Sequence, residues 1–270
     1  MKHPLGSRHW WEETGNTMGG CWPLSPGCLN CYAARCAGTL QTKTDIPLYL
    51  GTTNLKQGRY TFNGHLTELP PGHPAWNFPL QVTPKPNPIL GPGMPLLFWA
   101  GDMCEMFLPG RSRRVLDRTI SRLAFPDHII GLILTKLPDR MAAYFNAQPE
   151  ITQQHYREKL WLGFSAEDQT WFDKRWPHMR QLAQAGYTTF VSIAPMIGPV
   201  TLPDDCLALI NWVICSGEQG PRKHVRYMRP SWARAVRDQC ADHGVPFFMK
   251  QMSGKRPIPR DLKLQQFPQC

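Results

Sequence analysis

Residues 159–195, KLWLGFSAEDQTWFDKRWPHMRQLAQAGYTTFVSIAP, decide the fold. The stretch opens with a short apolar run of bulky residues, as a strand buried on both faces requires. A helix-forming segment follows, "WFDKRWPHMRQLAQAG", and stops at Gly186, a residue suited to a helix C-cap. A second apolar run, "TTFVSIAP", then ends near Pro195. Strand, helix, strand is the unit of a parallel α/β architecture. The same alternation extends in both directions. "PLLFWAG", "DHIIGLILTK", "INWVICSGE" and "VPFFMKQ" are further apolar runs. Between them, "RSRRVLDRTISRLAF" places Val115, Leu116, Ile120 and Leu123 at helical spacing, and "PDRMAAYFNAQ" has Pro138 where a helix start favours proline. "RPSWARAVRDQCADHG" offers Ser231 as N-cap and Gly244 as stop. About six such units predict an α/β fold, a complete or partial parallel (β/α) barrel. An open doubly wound sheet is the alternative.

In parallel α/β folds, ligands sit beyond the carboxyl ends of the strands. Those ends carry Asp102, Lys136, Glu167, Ser216, Glu218, Lys250 and Gln251. Any one of them marks no more than a strand leaving the core. So many on one rim predict a polar pocket.

The chain has 270 residues and a formal net charge of +10. That length suits one large domain, read here as spanning 1–270. The charge favours nucleic acid first and anionic cofactors second. The basic residues form no run, and no helix-turn-helix, zinc-finger or RNA-binding signature is visible. The N-terminal residues lack the apolar segment of a signal peptide. No apolar run approaches the roughly 18 residues of a membrane span. A cytoplasmic location without a membrane partner is therefore expected. Residues 41–95 are dense in Gly and Pro and lack helical periodicity. They read as an insertion or lid over the pocket, with one hairpin around Tyr60 to Leu66. The polar, proline-broken tail carries no signal.

In the reducing cytoplasm, clustered cysteines read as a metal site rather than a disulfide framework. Of the nine cysteines, four fall in "GCWPLSPGCLNCYAARCAG", residues 20–38. Cys21, Cys28 and Cys31 form C-x6-C-x2-C, and Cys36 follows on a starting helix. Three readings compete. Four thiolates close a tetrahedral zinc site, although only Cys28 and Cys31 make the usual knuckle. Four thiolates also hold an iron–sulfur cluster for electron transfer or structure. Three thiolates on a [4Fe–4S] cluster leave one iron open to a small molecule, and this reading alone joins the cysteine loop to the polar rim. Trp10 and Trp11, just upstream, read as packing residues.

"SPGCLNCYAARCAG" resembles the cluster loop of radical S-adenosylmethionine (SAM) proteins, in particular the branch whose third cysteine is followed by Tyr-Ala and a basic residue, which includes spore photoproduct lyase-like proteins. It resembles more closely a phage and bacterial radical SAM-like family long catalogued as a domain of unknown function, whose signature also has C-x6-C-x2-C-Y-A. The resemblance continues through "ILTKLPDRM", "LWLGFSAED", "FVSIAPMIGPV", "INWVICSGEQGP" and "VPFFMKQ". The first cysteine spacing is three residues longer than in most radical SAM enzymes, a small cost for loop closure. Ala194 stands where the family often has an acidic residue. The resemblance implies a [4Fe–4S] cluster on Cys21, Cys28 and Cys31, with Cys36 incidental. It implies reductive cleavage of SAM to methionine and a 5′-deoxyadenosyl radical that takes hydrogen from a substrate. Asp102 would then meet the SAM ammonium, Ser165 and Glu167 the ribose, and Ser216, Gly217 and Glu218 the adenine. Lys136, Lys250 and Gln251 would face the substrate. An external electron donor such as flavodoxin is implied, and a host-cytoplasmic setting if the chain is phage-encoded. The expected substrate is a nucleobase, with DNA favoured and a base modification or rearrangement as the outcome. A radical SAM enzyme acting on a peptide or small metabolite is one alternative. A zinc-stabilised nucleic-acid-binding protein without catalysis is the other.

Overall fold

The computed structural model describes residues 9–43 and 46–269. In chain order the elements are β1 (Glu13–Gly15), β2 (Met18–Gly19), α1 (Tyr32–Lys43), β3 (Thr53–Lys56), β4 (Arg59–Phe62), β5 (Thr67–Glu68), α2 (Phe78–Gln81), β6 (Leu96–Ala100), α3 (Arg113–Ala124), β7 (Ile129–Thr135), α4 (Pro138–Asn146), α5 (Glu150–Lys159), β8 (Leu160–Ala166), α6 (Gln169–Gln184), β9 (Thr188–Ile193), α7 (Asp204–Leu207), β10 (Trp212–Ser216), α8 (Pro230–Asp242) and β11 (Phe247–Gln251).

Seven strands make one all-parallel sheet in the order β1-β6-β7-β8-β9-β10-β11. From β6 onward each strand pairs with its successor in sequence, so every connection steps the same way. Right-handed crossovers then place the helices on one face and curl the sheet into a half-barrel. The six apolar runs of the sequence are β6 to β11. The seventh strand, β1, is only Glu-Thr-Gly and pairs beside β6 with Glu13 opposite Phe98.

Alternation along the strands builds two cores. Outward residues such as Ile133, Leu162, Phe164, Val191, Val213 and Phe247 pack under the helices. Inward residues Leu97, Trp99, Ile130, Leu132, Trp161, Phe190, Trp212, Ile214 and Phe248 fill the barrel floor, with Trp10 among them. Each such fully buried apolar side chain contributes about 1.5–3 kcal/mol. Gly163 makes that floor possible: a Cβ there would lie 2.3 Å from the Phe190 ring.

Helix ends follow local chemistry. Asp168 caps α6 by accepting the Trp171 N–H at 3.1 Å, and Gly186 follows its end at φ +87°. The expected Ser231 N-cap of α8 is not observed. Pro230 occupies the first helical position with Arg229 before it, and proline's fixed φ starts the helix without a side-chain cap. The expected hairpin lies earlier in the chain than residues 60–66. β3 and β4 turn at Gln57 and Gly58, both with positive φ, as a tight two-residue hairpin favours.

Past β11 the chain doubles back. Gln266 N–H donates to Phe247 O at 3.0 Å, Met249 N–H donates to Leu264 O at 2.8 Å, and Phe248 bridges Gln265 in antiparallel fashion. The Trp212 indole donates to Gln266 O at 2.9 Å, and Phe267 packs on Trp212 and Phe248. Among the described residues no helix is long and apolar enough to cross a membrane.

Candidate functional site

Above the aromatic floor the inward positions become small or polar. Ser165, Ser192, Ala194 and Ser216 replace the tryptophans and phenylalanines below, and Lys136 and Lys250 enter from β7 and β11. Small walls leave a cavity at the carboxyl ends of the strands, about 190 Å³. A second cavity of about 410 Å³ adjoins it and shares Asn30, Cys31 and Gln219.

The cysteine loop closes one side of the first cavity. Cys21, Cys28 and Cys31 line it, as does Cys104 after β6, together with Asp102, Lys136, Ser165, Ser216, Gly217, Glu218, Lys250 and Gln251. Cys36 lies on α1 and does not line it. Five hydrogen bonds hold the loop and its approach against the barrel. Arg111 donates to Gly20 O at 2.7 Å and to Thr67 O at 3.0 Å, fixing the approach to Cys21. Ser25 Oγ donates to Glu167 Oε1 at 2.6 Å, and Asn30 Nδ2 donates to Glu218 Oε2 at 2.8 Å. The Tyr32 hydroxyl donates to the carbonyl of Asp102. Carboxylates at the ends of β8 and β10 thus hold the loop on either side of Cys28. Gly27 belongs to the same clasp, since a Cβ there would lie 2.5 Å from Glu167 Cγ.

Glu167 is fully buried and does not line the cavity. Its Oε1 accepts from Ser25 and Lys136, and its Oε2 accepts from Arg175 Nη1 at 2.9 Å. Burial alone would raise this carboxyl; the cations Lys136 and Arg175 outweigh it and bring it below its ordinary value. Glu218 stands likewise: burial is opposed by Arg226, whose amide and guanidinium both donate to it, and the net shift is downward. Asp102 differs. Burial raises it, against the Asn16 amide, which donates to Oδ1 at 2.6 Å, and against Lys250. Lys250 sits 5.1 Å from the Trp11 ring, and burial pushes it down to about 8 while Asp102 draws it up. Gln251 Nε2 donates to Gly217 O at 3.1 Å.

Several site residues were not among the sequence candidates: Asn16, Asn30, Tyr32, Glu105, Arg175 and Arg226. Glu105 is a buried carboxyl on the cavity wall that accepts from Thr135 Oγ1 at 2.6 Å and from Lys136 N at 2.8 Å. Burial raises it. A signal for Glu105 and Arg175 was present. Glu105 interrupts an apolar segment continuing as Met106, Phe107 and Leu108, and Arg175 falls on the stripe of α6 set by Phe172, Trp176, Met179 and Leu182.

The thiols are soft donors gathered on the cavity wall. Burial raises Cys21 and Cys31, so an uncompensated thiolate is disfavoured there, and a bound cationic centre offsets that cost. Thiolates on one tetrahedral zinc lie about 3.8 Å apart, given bonds near 2.3 Å. Among the described residues no group of three or more His, Cys, Asp or Glu is placed to hold a metal ion. Cys21, Cys28, Cys31 and Cys104 line one cavity wall, and soft thiolate donors of that kind suit zinc or an iron–sulfur cluster. The same wall presents carboxylates and ammonium groups, both of which a zwitterionic nucleoside such as SAM requires.

Comparison with solved structures returns spore photoproduct lyase. A mutant with bound AdoMet and dinucleoside spore photoproduct aligns at a TM-score of 0.51 and 11% identity, covering 88% of this chain and 76% of that one. The same enzyme complexed with dinucleoside spore photoproduct aligns at 0.48 and 12%, covering 87% and 74%. At this identity the likeness is one of fold. A search of curated proteins finds no match. A family model described as protein of unknown function, DUF5131, matches residues 7–263, and the chain belongs to that family.

Proposed function

We propose that this protein is a radical SAM enzyme carrying a [4Fe–4S] cluster on Cys21, Cys28 and Cys31, with a nucleobase in DNA as substrate. The observation that carries the reading is the convergence of those thiols and the strand-end polar groups on one cavity, with Cys104 on the same wall from outside the loop and Cys36 off it. When bound, the cluster supplies the electron that cleaves SAM and so generates the hydrogen-abstracting radical. The chain's own residues bind and orient. Asp102 receives the SAM ammonium, with Glu105 beside it on the same wall. Ser165, Ser216 and Gly217 line the nucleoside. Glu167 acts through the loop it fixes at Ser25, while Glu218 lines the cavity on the side of the adenine and also fixes the loop at Asn30. Lys136, Lys250 and Gln251 face the substrate. Residues 41–95 serve as the lid, contributing Phe62 to the wall. The DNA substrate draws support from the net charge of +10 and from the lesion bound in the structural neighbour.

The test is anaerobic reconstitution with iron and sulfide, followed by dithionite and SAM, with 5′-deoxyadenosine as readout. Roughly four irons per chain and 5′-deoxyadenosine release are expected. Cys21→Ala, Cys28→Ala and Cys31→Ala should each abolish release, and Cys36→Ala should retain it. A colourless protein with one zinc, or loss of the cluster on changing Cys36, would overturn the reading.

A further inference from the structure

The second cavity has a chemistry of its own. Arg35 from α1, Arg59 from β4 and His224 from the segment after β10 line it, together with Tyr60. Among the described residues no carboxylate lines it. The first cavity, by contrast, mixes Asp102, Glu105 and Glu218 with its lysines. Arg35 and Arg59 are exposed, and among the described residues neither has an ion-pair partner. Exposed Lys56 faces Arg59 across the hairpin, and exposed Lys223 precedes His224. Unpaired cations around a hollow select an anion, and a concave wall selects one that enters it. An acidic protein surface would need a convex or flat landing area instead.

We propose that this second cavity seats the phosphate backbone of a single nucleic-acid strand whose target base enters the first cavity. The inference rests on the nucleobase reading above and adds the place where the strand is held. Three features favour a single strand. The hollow of about 410 Å³ is too small for a duplex. A base that reacts inside the first cavity must already have left the stack. The phenol ring of Tyr60 beside the arginines supplies the aromatic face on which single-stranded bases stack. The shared residues Asn30, Cys31 and Gln219 make the path from backbone seat to cysteine loop short.

The test uses the anaerobic, cluster-loaded protein and a fluorescein-labelled 12-residue oligothymidylate, with affinity read by anisotropy across a salt series. Charge reversal of both arginines, Arg35→Glu with Arg59→Glu, should weaken binding roughly tenfold or more. It should also flatten the log–log salt dependence by about 1.4, at about 0.7 per phosphate contact on a single strand. Lys174→Glu, an exposed position on α6, is the charge control and should leave both unchanged. Unchanged affinity and slope in the double variant would overturn the proposal. So would displacement of the strand by inorganic phosphate at an equal phosphate concentration, which would show a lone-anion site. If the double variant binds the strand normally but is reduced more slowly by flavodoxin, the cavity is a donor site and the proposal also fails. Binding requires no SAM cleavage, so the two readings fail separately. Arginine-dependent strand binding without 5′-deoxyadenosine release would refute the radical chemistry and keep the seat. Release with arginine-independent binding would do the reverse.

Discussion

Replacing Glu167 by glutamine takes one negative charge from a place where three groups depend on it. Arg175 Nη1 lies 2.9 Å from Oε2 and Ser25 Oγ 2.6 Å from Oε1, with Lys136 on the same oxygen as Ser25. The glutamine keeps the shape but leaves the charge of the Arg175 guanidinium unbalanced, at 4% exposure and with only the Ser165 carbonyl at 2.9 Å and the Trp171 ring 4.4 Å away named beside it. Leaving one partner of a buried ion pair uncompensated costs about 3–5 kcal/mol. Lys136, with a side chain 20% exposed, can turn towards water, so the lower end applies. For a chain of this size, about 3 kcal/mol corresponds to a fall in Tm of roughly 6–12 °C. Circular-dichroism melting measures it, with iron per chain determined in parallel because Ser25 anchors the cysteine loop. The carboxyl lies below its ordinary value, so its contribution is present above the usual carboxylate range and lost as pH falls through the folded value. E167Q should lack that acid slope. In a double-mutant cycle with Arg175→Met, the two changes remove one interaction, so the double should cost about 1–3 kcal/mol less than the sum. A Tm within about 2 °C of the parent, or single effects that simply add, would refute the clasp.

Lys250 gives a second prediction. Its folded value near 8 lies below the ordinary value of about 10.4, so between these values the unfolded chain binds more protons. Stability from this group therefore rises with pH across that window. The Tm of the parent minus that of Lys250→Met, followed from about pH 7.5 to 10.5, should climb; a flat difference would mean the lysine is not desolvated. Gly163→Ala tests the floor. Its Cβ would sit 2.3 Å from the Phe190 ring, and overpacking of this kind costs about 1–3 kcal/mol, read as a lower midpoint in urea. Phe190→Leu in the same chain should recover part of the loss, and a variant as stable as the parent would show that the floor has room.

The half-barrel was legible because its six longest strands are buried on both faces, and such strands announce themselves as unbroken apolar runs. β1 was not legible, because three residues of Glu-Thr-Gly carry neither alternation nor bulk. α5 was missed for a similar reason: Tyr156 is its one buried residue, so its sequence, EITQQHYREK, shows little apolar periodicity. The cysteine loop and the polar rim were visible as spacing and position. The partners of the rim were not. Which strand-end carboxylate faces a ligand and which grips the loop depends on Ser25 and Asn30, and hydroxyl and amide side chains leave no pattern in a loop. Glu167 and Asp102 look alike in sequence, each after an apolar run. Only packing separates a residue enclosed by Arg175 and Lys136 from one that faces the cavity.

The returning chain beyond β11 has a practical consequence. A parallel half-barrel leaves β11 with an unsatisfied row of amides and carbonyls, a template for joining another molecule's strand. Residues 264–266 occupy that row, and Phe267 seals it against Trp212 and Phe248. Protein shortened to residue 262 should keep its sheet yet self-associate in proportion to concentration, visible as a growing light-scattering mass. An affinity tag on this end should be joined through a flexible spacer so that Phe267 stays seated.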